Sequence, residues 1–237
     1  MLNPLVSKLG SVAALSADDR QALEAICADR QTFAERKDIV SEGQKPEHIH
    51  VLLGGWAARY KMLPDGSRQI TAFIIPGDMF DTGAAVLDHA DHSVVALTPV
   101  TIAKVTRSLL MKTTREHPVL AQAFWWAGLV EEGVLRSWIA NIGRRDAYAR
   151  VAHLVCELHA RIKCIGMAHG ERFDLPLTQE HLADALGLTP VHINRTLQRL
   201  RSDGIMSIRH YILTINDAHR LHAAAGFRPD YLHPSGS

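Results

Sequence analysis

From Thr189 to Arg201 the chain reads Thr-Pro-Val-His-Ile-Asn-Arg-Thr-Leu-Gln-Arg-Leu-Arg, with three arginines and no acidic residue. A guanidinium grips phosphate oxygens in a fork and can bond both O6 and N7 of guanine. Ile193, Leu197 and Leu200 have the spacing of a helix's buried stripe, so Val191, His192, Asn194, Arg195, Gln198 and Arg199 face outward. A helix that enters the major groove of double-stranded DNA needs such a face, and Arg195 is the residue expected to read a guanine. The competing reading is an ordinary helical hairpin whose arginines form a solvated face.

The residues upstream position this helix. Thr178 is placed to cap a first helix, with His181 at the third helical position where a capping box carries Glu or Gln, and Leu182, Ala185 and Leu186 form its inward face. Gly187 ends that helix with a tight turn, Thr189 caps the next one, and Pro190 takes its first position, where no amide donor is missed. Downstream, Gly204 to Ile215 reads as two short strands around a basic turn with Arg209, the wing of a winged helix-turn-helix. The wing makes the solvated-hairpin reading the weaker one.

Of the 237 residues, 47% are hydrophobic and 22% charged, which excludes a disordered chain and allows one large domain or two small ones. Ser16 is a candidate cap over Asp18 and Asp19. Gln31 to about Thr106 alternates short Val-, Ile-, Phe- and Thr-rich runs with turn residues, and strands are predicted at Ile49–Leu53, Trp56–Leu63, Gln69–Ile75 and Val94–Val105. From His117 a helical stripe of Leu120, Phe124, Ala127, Val130, Val134 and Trp138 reads as a dimer seam, and burial within one chain would explain it too. The predicted divisions are a β-roll sensor over 1–115, a dimerisation helix over 116–141, a winged helix-turn-helix over 142–225 and a flexible tail over 226–237.

No apolar run suits a membrane span or a signal core, so a cytoplasmic protein without membrane contact is expected. Cys27, Cys156 and Cys164 are widely spaced and suggest neither zinc nor a redox couple, and no metal site is expected. His48 and His50 would share one face of a strand but lack an evident third ligand. Nucleophile-elbow, zinc-protease and phosphate-loop patterns are absent, so no catalytic residue is assigned and an enzyme is not expected.

The chain resembles the Crp/Fnr family of bacterial regulators over about residues 15 to 220. Glu42-Gly43-Gln44, Leu53-Gly54-Gly55 and Pro76-Gly77-Asp78-Met79-Phe80 are similar to the family's β-roll. The segment Gly187-Leu-Thr-Pro-Val-His-Ile-Asn-Arg-Thr-Leu-Gln198 is similar to one branch's recognition helix. The resemblance implies an α+β fold: an N-terminal double-stranded β-helix of the cyclic-nucleotide-binding type, a long dimerisation helix and a C-terminal winged helix-turn-helix. It also implies a homodimer on a palindromic promoter site related to TTG-N-CAA, with RNA polymerase as a partner.

Two departures matter. Val191 stands where the family's recognition helix has a glutamate. Thr82 and His92, followed by Ser93, stand where cAMP-binding members have the ribose glutamate and the phosphate arginine. A neutral histidine is a poor substitute for a fixed guanidinium. No cofactor is therefore expected, with a cyclic-nucleotide-binding module and a haem-based sensor kept as alternatives. Phe80, Thr82, His92 and Ser93 are the candidate effector pocket, and iron–sulfur ligation fails for want of cysteines near Cys27.

Overall fold

The structure, a computed structural model, describes residues 3–233. It divides into two compact units: Met1–Lys61 with Ala72–Leu129, and Met62–Thr71 with Val130–Ser237. No helix among the described residues is long and apolar enough to cross a membrane.

The first unit opens with two short helices, α1 (Pro4–Gly10) and α2 (Ala17–Ile26). Ser16 and Asp19 cap α2 reciprocally, each accepting from the other's backbone amide. Two four-stranded antiparallel sheets follow. One runs β1 (Arg30–Phe33), β8 (Val100–Val105), β3 (Ile49–Gly54), β6 (Met79–Phe80), and the other β2 (Asp38–Val40), β7 (Ser93–Ala96), β4 (Ala57–Met62), β5 (Arg68–Ile74). Leu52, Ile102 and Phe80 from the first sheet meet Ala57, Ile74 and Val94 from the second in one core. The strand predicted over Val94–Val105 is two strands in different sheets, because Thr98-Pro99 turns the chain and Pro99 has no amide for a ladder. Helix α3 (Arg107–Glu116) then leads into α4 (Pro118–Arg144).

Of the expected seam residues, Leu120, Val130, Val134 and Trp138 are buried within the chain itself, while Phe124 and Ala127 are half-buried. Leu120 lies in the core of the first unit with Leu5, Leu23 and Ile49, and Phe124 and Ala127 pack against it. Val130, Val134 and Trp138 are buried within the second unit. The face of α4 that stays exposed is rotated from the expected one and carries Trp125, Leu129 and Ile139, with Trp125 71% and Ile139 73% exposed. Periodicity finds an apolar stripe but does not say which of two stripes the chain itself covers. α4 also continues to Arg144, past the boundary expected at 141.

In the second unit α5 (Ala147–Cys164) starts at the Asp146 cap, and α6 (Gln179–Leu186) and α7 (Pro190–Ser202) follow. A three-stranded sheet orders β10 (Met206–Arg209), β11 (Ile212–Ile215) and β9 (Arg172–Asp174). Two elements were not anticipated: α8 (Ala218–Ala225), capped by Asp217, and a 3-10 turn over Pro229–Leu232. The tail expected to be loose from residue 226 is therefore packed as far as residue 233, with Phe227 and Leu232 buried. Its last residues, 234–237, lie outside the described range.

A buried carboxylate holds this return. Glu157 on α5 is fully buried and accepts from Trp138 Nε1 at 3.1 Å to both oxygens, from Tyr231 Oη at 3.0 Å and from Arg161 at 3.3 Å. Burial pushes its pKa up, against the pull of Arg161 and the two other donors. A Cβ on Gly133 of α4 would stand 2.9 Å from the Tyr231 carbonyl oxygen, so the segment's backbone lies where only glycine leaves room.

Candidate nucleic-acid interface

Thr178 Oγ1 accepts from the His181 amide at 3.2 Å, and His181 Nδ1 accepts from the Thr178 amide at 3.3 Å. Histidine thus completes the capping box that ordinarily uses Glu or Gln, satisfying two amides that α6 would leave open. Gly187 ends α6 at φ +61°, a conformation that costs an L side chain about 1–2 kcal/mol. Arg150 of α5 donates to Leu186 O at 3.0 Å and to Arg145 O at 2.8 Å, so one guanidinium ties the end of α6 to the start of the α5 layer.

Thr189 caps α7 by accepting from the His192 amide at 3.2 Å, with Pro190 in the first turn. Ile193, Thr196 and Leu200 are the buried residues of α7, and Leu197 is half-buried. The inward stripe is therefore centred between the 196 and 197 positions rather than on Leu197. Burying Ile193 and Leu200 contributes about 1.5–3 kcal/mol each and fixes which way the opposite face points.

That opposite face holds most of the predicted residues. Val191, His192, Arg195, Gln198 and Arg199 are exposed, as are Thr178, Thr189 and Pro190. Asn194 differs: it is half-buried and its Nδ2 donates to Gln179 Oε1 at 3.3 Å, which links α7 to the first turn of α6. Arg209 is exposed at the end of β10, where His210 (φ +50°) and Tyr211 (φ +61°) form a tight left-handed turn into β11. The result is an exposed basic helix with a basic hairpin in the same unit, both fixed by caps and apolar packing.

The four candidate effector residues differ in their surroundings. Phe80 is core, 1% exposed, Thr82 is exposed on a 3-10 turn (Thr82–Ala85), and buried Ser93 accepts from the Glu42 amide at 2.9 Å. His92 is engaged at both ring nitrogens: Nε2–H donates to Asp81 Oδ1 at 2.9 Å and Nδ1–H donates to Asp91 Oδ1 at 2.6 Å. A neutral imidazole has one N–H, so this arrangement requires the imidazolium. Burial alone would depress the His92 pKa; the bonds to Asp81 and Asp91 overcome that and the opposing charge of Arg59, so it is raised. The other Asp81 oxygen accepts from His50 Nδ1–H at 3.0 Å.

The His50–Asp81–His92 cluster was missed as a unit, since its members come from a strand, a left-handed turn residue and a loop end. The φ of +56° at Asp81 is not readable from sequence, although Asp is one of the few residues to tolerate it. Among the described residues no group of three or more His, Cys, Asp or Glu is placed to hold a metal ion.

Sequence profiles of two domains match the chain: the cyclic nucleotide-binding domain over residues 30–117 and the Crp-like helix-turn-helix domain over residues 149–224. The nitrogen fixation regulation protein FixK of Azorhizobium caulinodans is 30% identical over 74% of this chain and 70% of its own length. The transcriptional activator protein FnrL of Cereibacter sphaeroides is 26% identical over 83% of this chain and 80% of its own. Among solved structures, FixK2 from Bradyrhizobium japonicum superposes with a TM-score of 0.74 at 26% identity, covering 84% of this chain and 98% of that one.

Proposed function

Because the chain belongs to the Crp/Fnr family of transcription regulators, we propose that it binds a two-fold-symmetric DNA site as a dimer, with α7 of each protomer in a major groove. The observation that carries this is the outward face of α7: Val191, Arg195 and Gln198 exposed together, on a helix without an acidic residue and capped at both ends of the preceding turn. Arg195 reads a guanine and Gln198 a neighbouring base edge, while Val191 offers an apolar surface to a thymine methyl. Thr178, Thr189 and the open amides of the first turns of α6 and α7 take phosphates, as does Arg209 from the wing.

The exposed stripe of α4, Trp125, Leu129 and Ile139, is the proposed dimer contact in place of the buried Leu120-to-Trp138 stripe. Trp125 and Ile139 are two heptads apart, and the Glu132–Arg136 pair, 3.2 Å, sits between them. Two such protomers would present their recognition helices about one turn of DNA apart, which predicts a near-palindromic operator. RNA polymerase is the partner that promoter-bound regulation requires. The sensor is read as not using cAMP, because His92 is committed to two carboxylates and Thr82 faces solvent.

Selection of binding sites from a random duplex pool by the purified protein, with and without cAMP, tests this. A recovered palindrome whose affinity falls steeply with salt is the expected result. Failure to enrich any site in either condition would overturn it, and enrichment only with cAMP would overturn the reading of the sensor.

A further inference from the structure

We propose that Tyr148, at the start of α5, is a positioning residue for DNA binding that presents Arg199 of α7 as a phosphate clamp. The inference rests on the DNA-binding reading above and adds a contact between helices that the recognition-helix pattern does not contain. Arg199 Cζ lies 4.7 Å from the centroid of the Tyr148 ring, so the guanidinium stacks on the aromatic face. The Tyr148 hydroxyl donates to Asp203 Oδ2 at 2.7 Å, and the same oxygen lies 4.0 Å from Arg199 Nε. Asp203 is itself tied down, its amide donating to Arg199 O at 2.9 Å and its carbonyl accepting from Arg220 of α8 at 2.9 Å.

This arrangement has a direction. The ring covers one side of the guanidinium, the Asp203 carboxylate lies 4.0 Å from Nε, and the Arg199 side chain remains 70% exposed and open to a ligand. Two parallel N–H groups on one edge are the geometry that grips a phosphate. Contact with the ring and the carboxylate restricts the rotamers open to this arginine, which lowers the entropic cost of fixing it on a phosphate. The Asp203 oxygen accepts the 2.7 Å tyrosine bond and stands 4.0 Å from Nε, beyond hydrogen-bond reach, so it takes no N–H of the guanidinium. The tyrosine keeps its proton, its pKa pushed up to about 12 by burial and then by the Asp203 carboxylate.

A double-mutant cycle on the full-length protein, with affinity for the selected operator measured across a salt series, tests the proposal. Arg199→Ala should reduce the slope of log K against log salt by about 0.9, the signature of one lost phosphate contact. Tyr148→Leu should weaken binding about two- to fivefold in the native background and have no further effect once Arg199 is alanine. Tyr148→Phe, which keeps the ring, should retain most of the affinity and guards against a leucine variant that folds poorly. Equal losses from Tyr148→Leu in both backgrounds, or an unchanged salt slope in Arg199→Ala, would overturn the clamp while leaving the DNA-binding reading intact. If the unmodified protein shows no salt-dependent operator binding, that underlying reading is what has failed, and the clamp falls with it.

Discussion

Removing the hydroxyl of Tyr231 tests the claim that the C-terminal segment is part of the second unit's core. Tyr231→Phe keeps the ring, its stack on His153 at 6.1 Å and its edge contact with Phe227 at 6.1 Å, and deletes one bond to Glu157. A hydrogen bond to a charged group is worth about 1.5–3 kcal/mol. Glu157 is fully buried and cannot recruit water in its place, yet it keeps both contacts from Trp138 and the one from Arg161, so the lower half of that range applies.

The expected loss is thus about 1.5–2 kcal/mol, which at a typical slope in urea lowers the unfolding midpoint by about 0.5–2 M. Urea titration followed by tryptophan fluorescence, with Trp138 inside the affected cluster, reads it directly. In a Glu157→Gln background the acceptor is neutral, and the same deletion should cost only about 0.5–1.5 kcal/mol. A loss under about 0.5 kcal/mol at constant slope, or an equal loss in both backgrounds, would refute the view that a buried charge anchors the chain end.

Other perturbations probe the remaining claims. Arg195→Ala should cost about 1–3 kcal/mol of operator affinity and relax preference at one base of each half-site; a uniform loss across all sequences would make it a phosphate contact instead. Trp125→Asp or Ile139→Asp should yield monomers by sedimentation while the fold survives, whereas Val134→Asp, buried at 6% exposure, should unfold the second unit. The histidine cluster should leave its mark on stability against pH. His92 is raised above its ordinary 6.5, so its contribution is complete below that pH and is lost as pH climbs through the folded value. Asp81 is buried, which would raise it, but the bonds from His50 and His92 bring it below its ordinary 3.8. Its contribution holds above that value and is lost as pH falls. Denaturant titrations from pH 4 to 9 should therefore weaken at the alkaline end, and His92→Gln should flatten that limb; an unchanged limb would sink the doubly bonded imidazolium.

What could be read from the residues alone was whatever is decided within one or two turns. The caps at Ser16, Thr178 and Thr189, the stop at Gly187 and the wing turn are local choices of hydrogen bond and φ, and they lie where the spacing put them. Which face of α4 the chain covers is a long-range matter: two apolar stripes share that helix, and only the rest of the chain decides that Leu120, Val130 and Trp138 turn inward. The return of residues 226–233 was illegible because its anchor, Glu157, reads in isolation as a surface acid of an amphipathic helix. At Asp217, Leu221, Ala225 and Gly226 a cap, an apolar pair and a stop were present and would have revealed α8. The candidate pocket was carried over from aligned positions, and alignment is silent about Asp81 meeting His92 from another loop.

The glycine slot at position 133 bears on how such regulators exchange their parts. The turn over Pro229–Leu232 lies against α4, and Trp138 of the same helix shares Glu157 with Tyr231, so the latter half of the long helix belongs with the DNA-binding head and not with the sensor. A recombination joint between heads and sensors placed at the visible break before α5 would strand Gly133 and Trp138 opposite a foreign C-terminus. A joint inside α4, just ahead of Val130, would transfer lock and key together. Positions 133, 138, 157 and 231 should accordingly be inherited as a block wherever sensors have been shuffled.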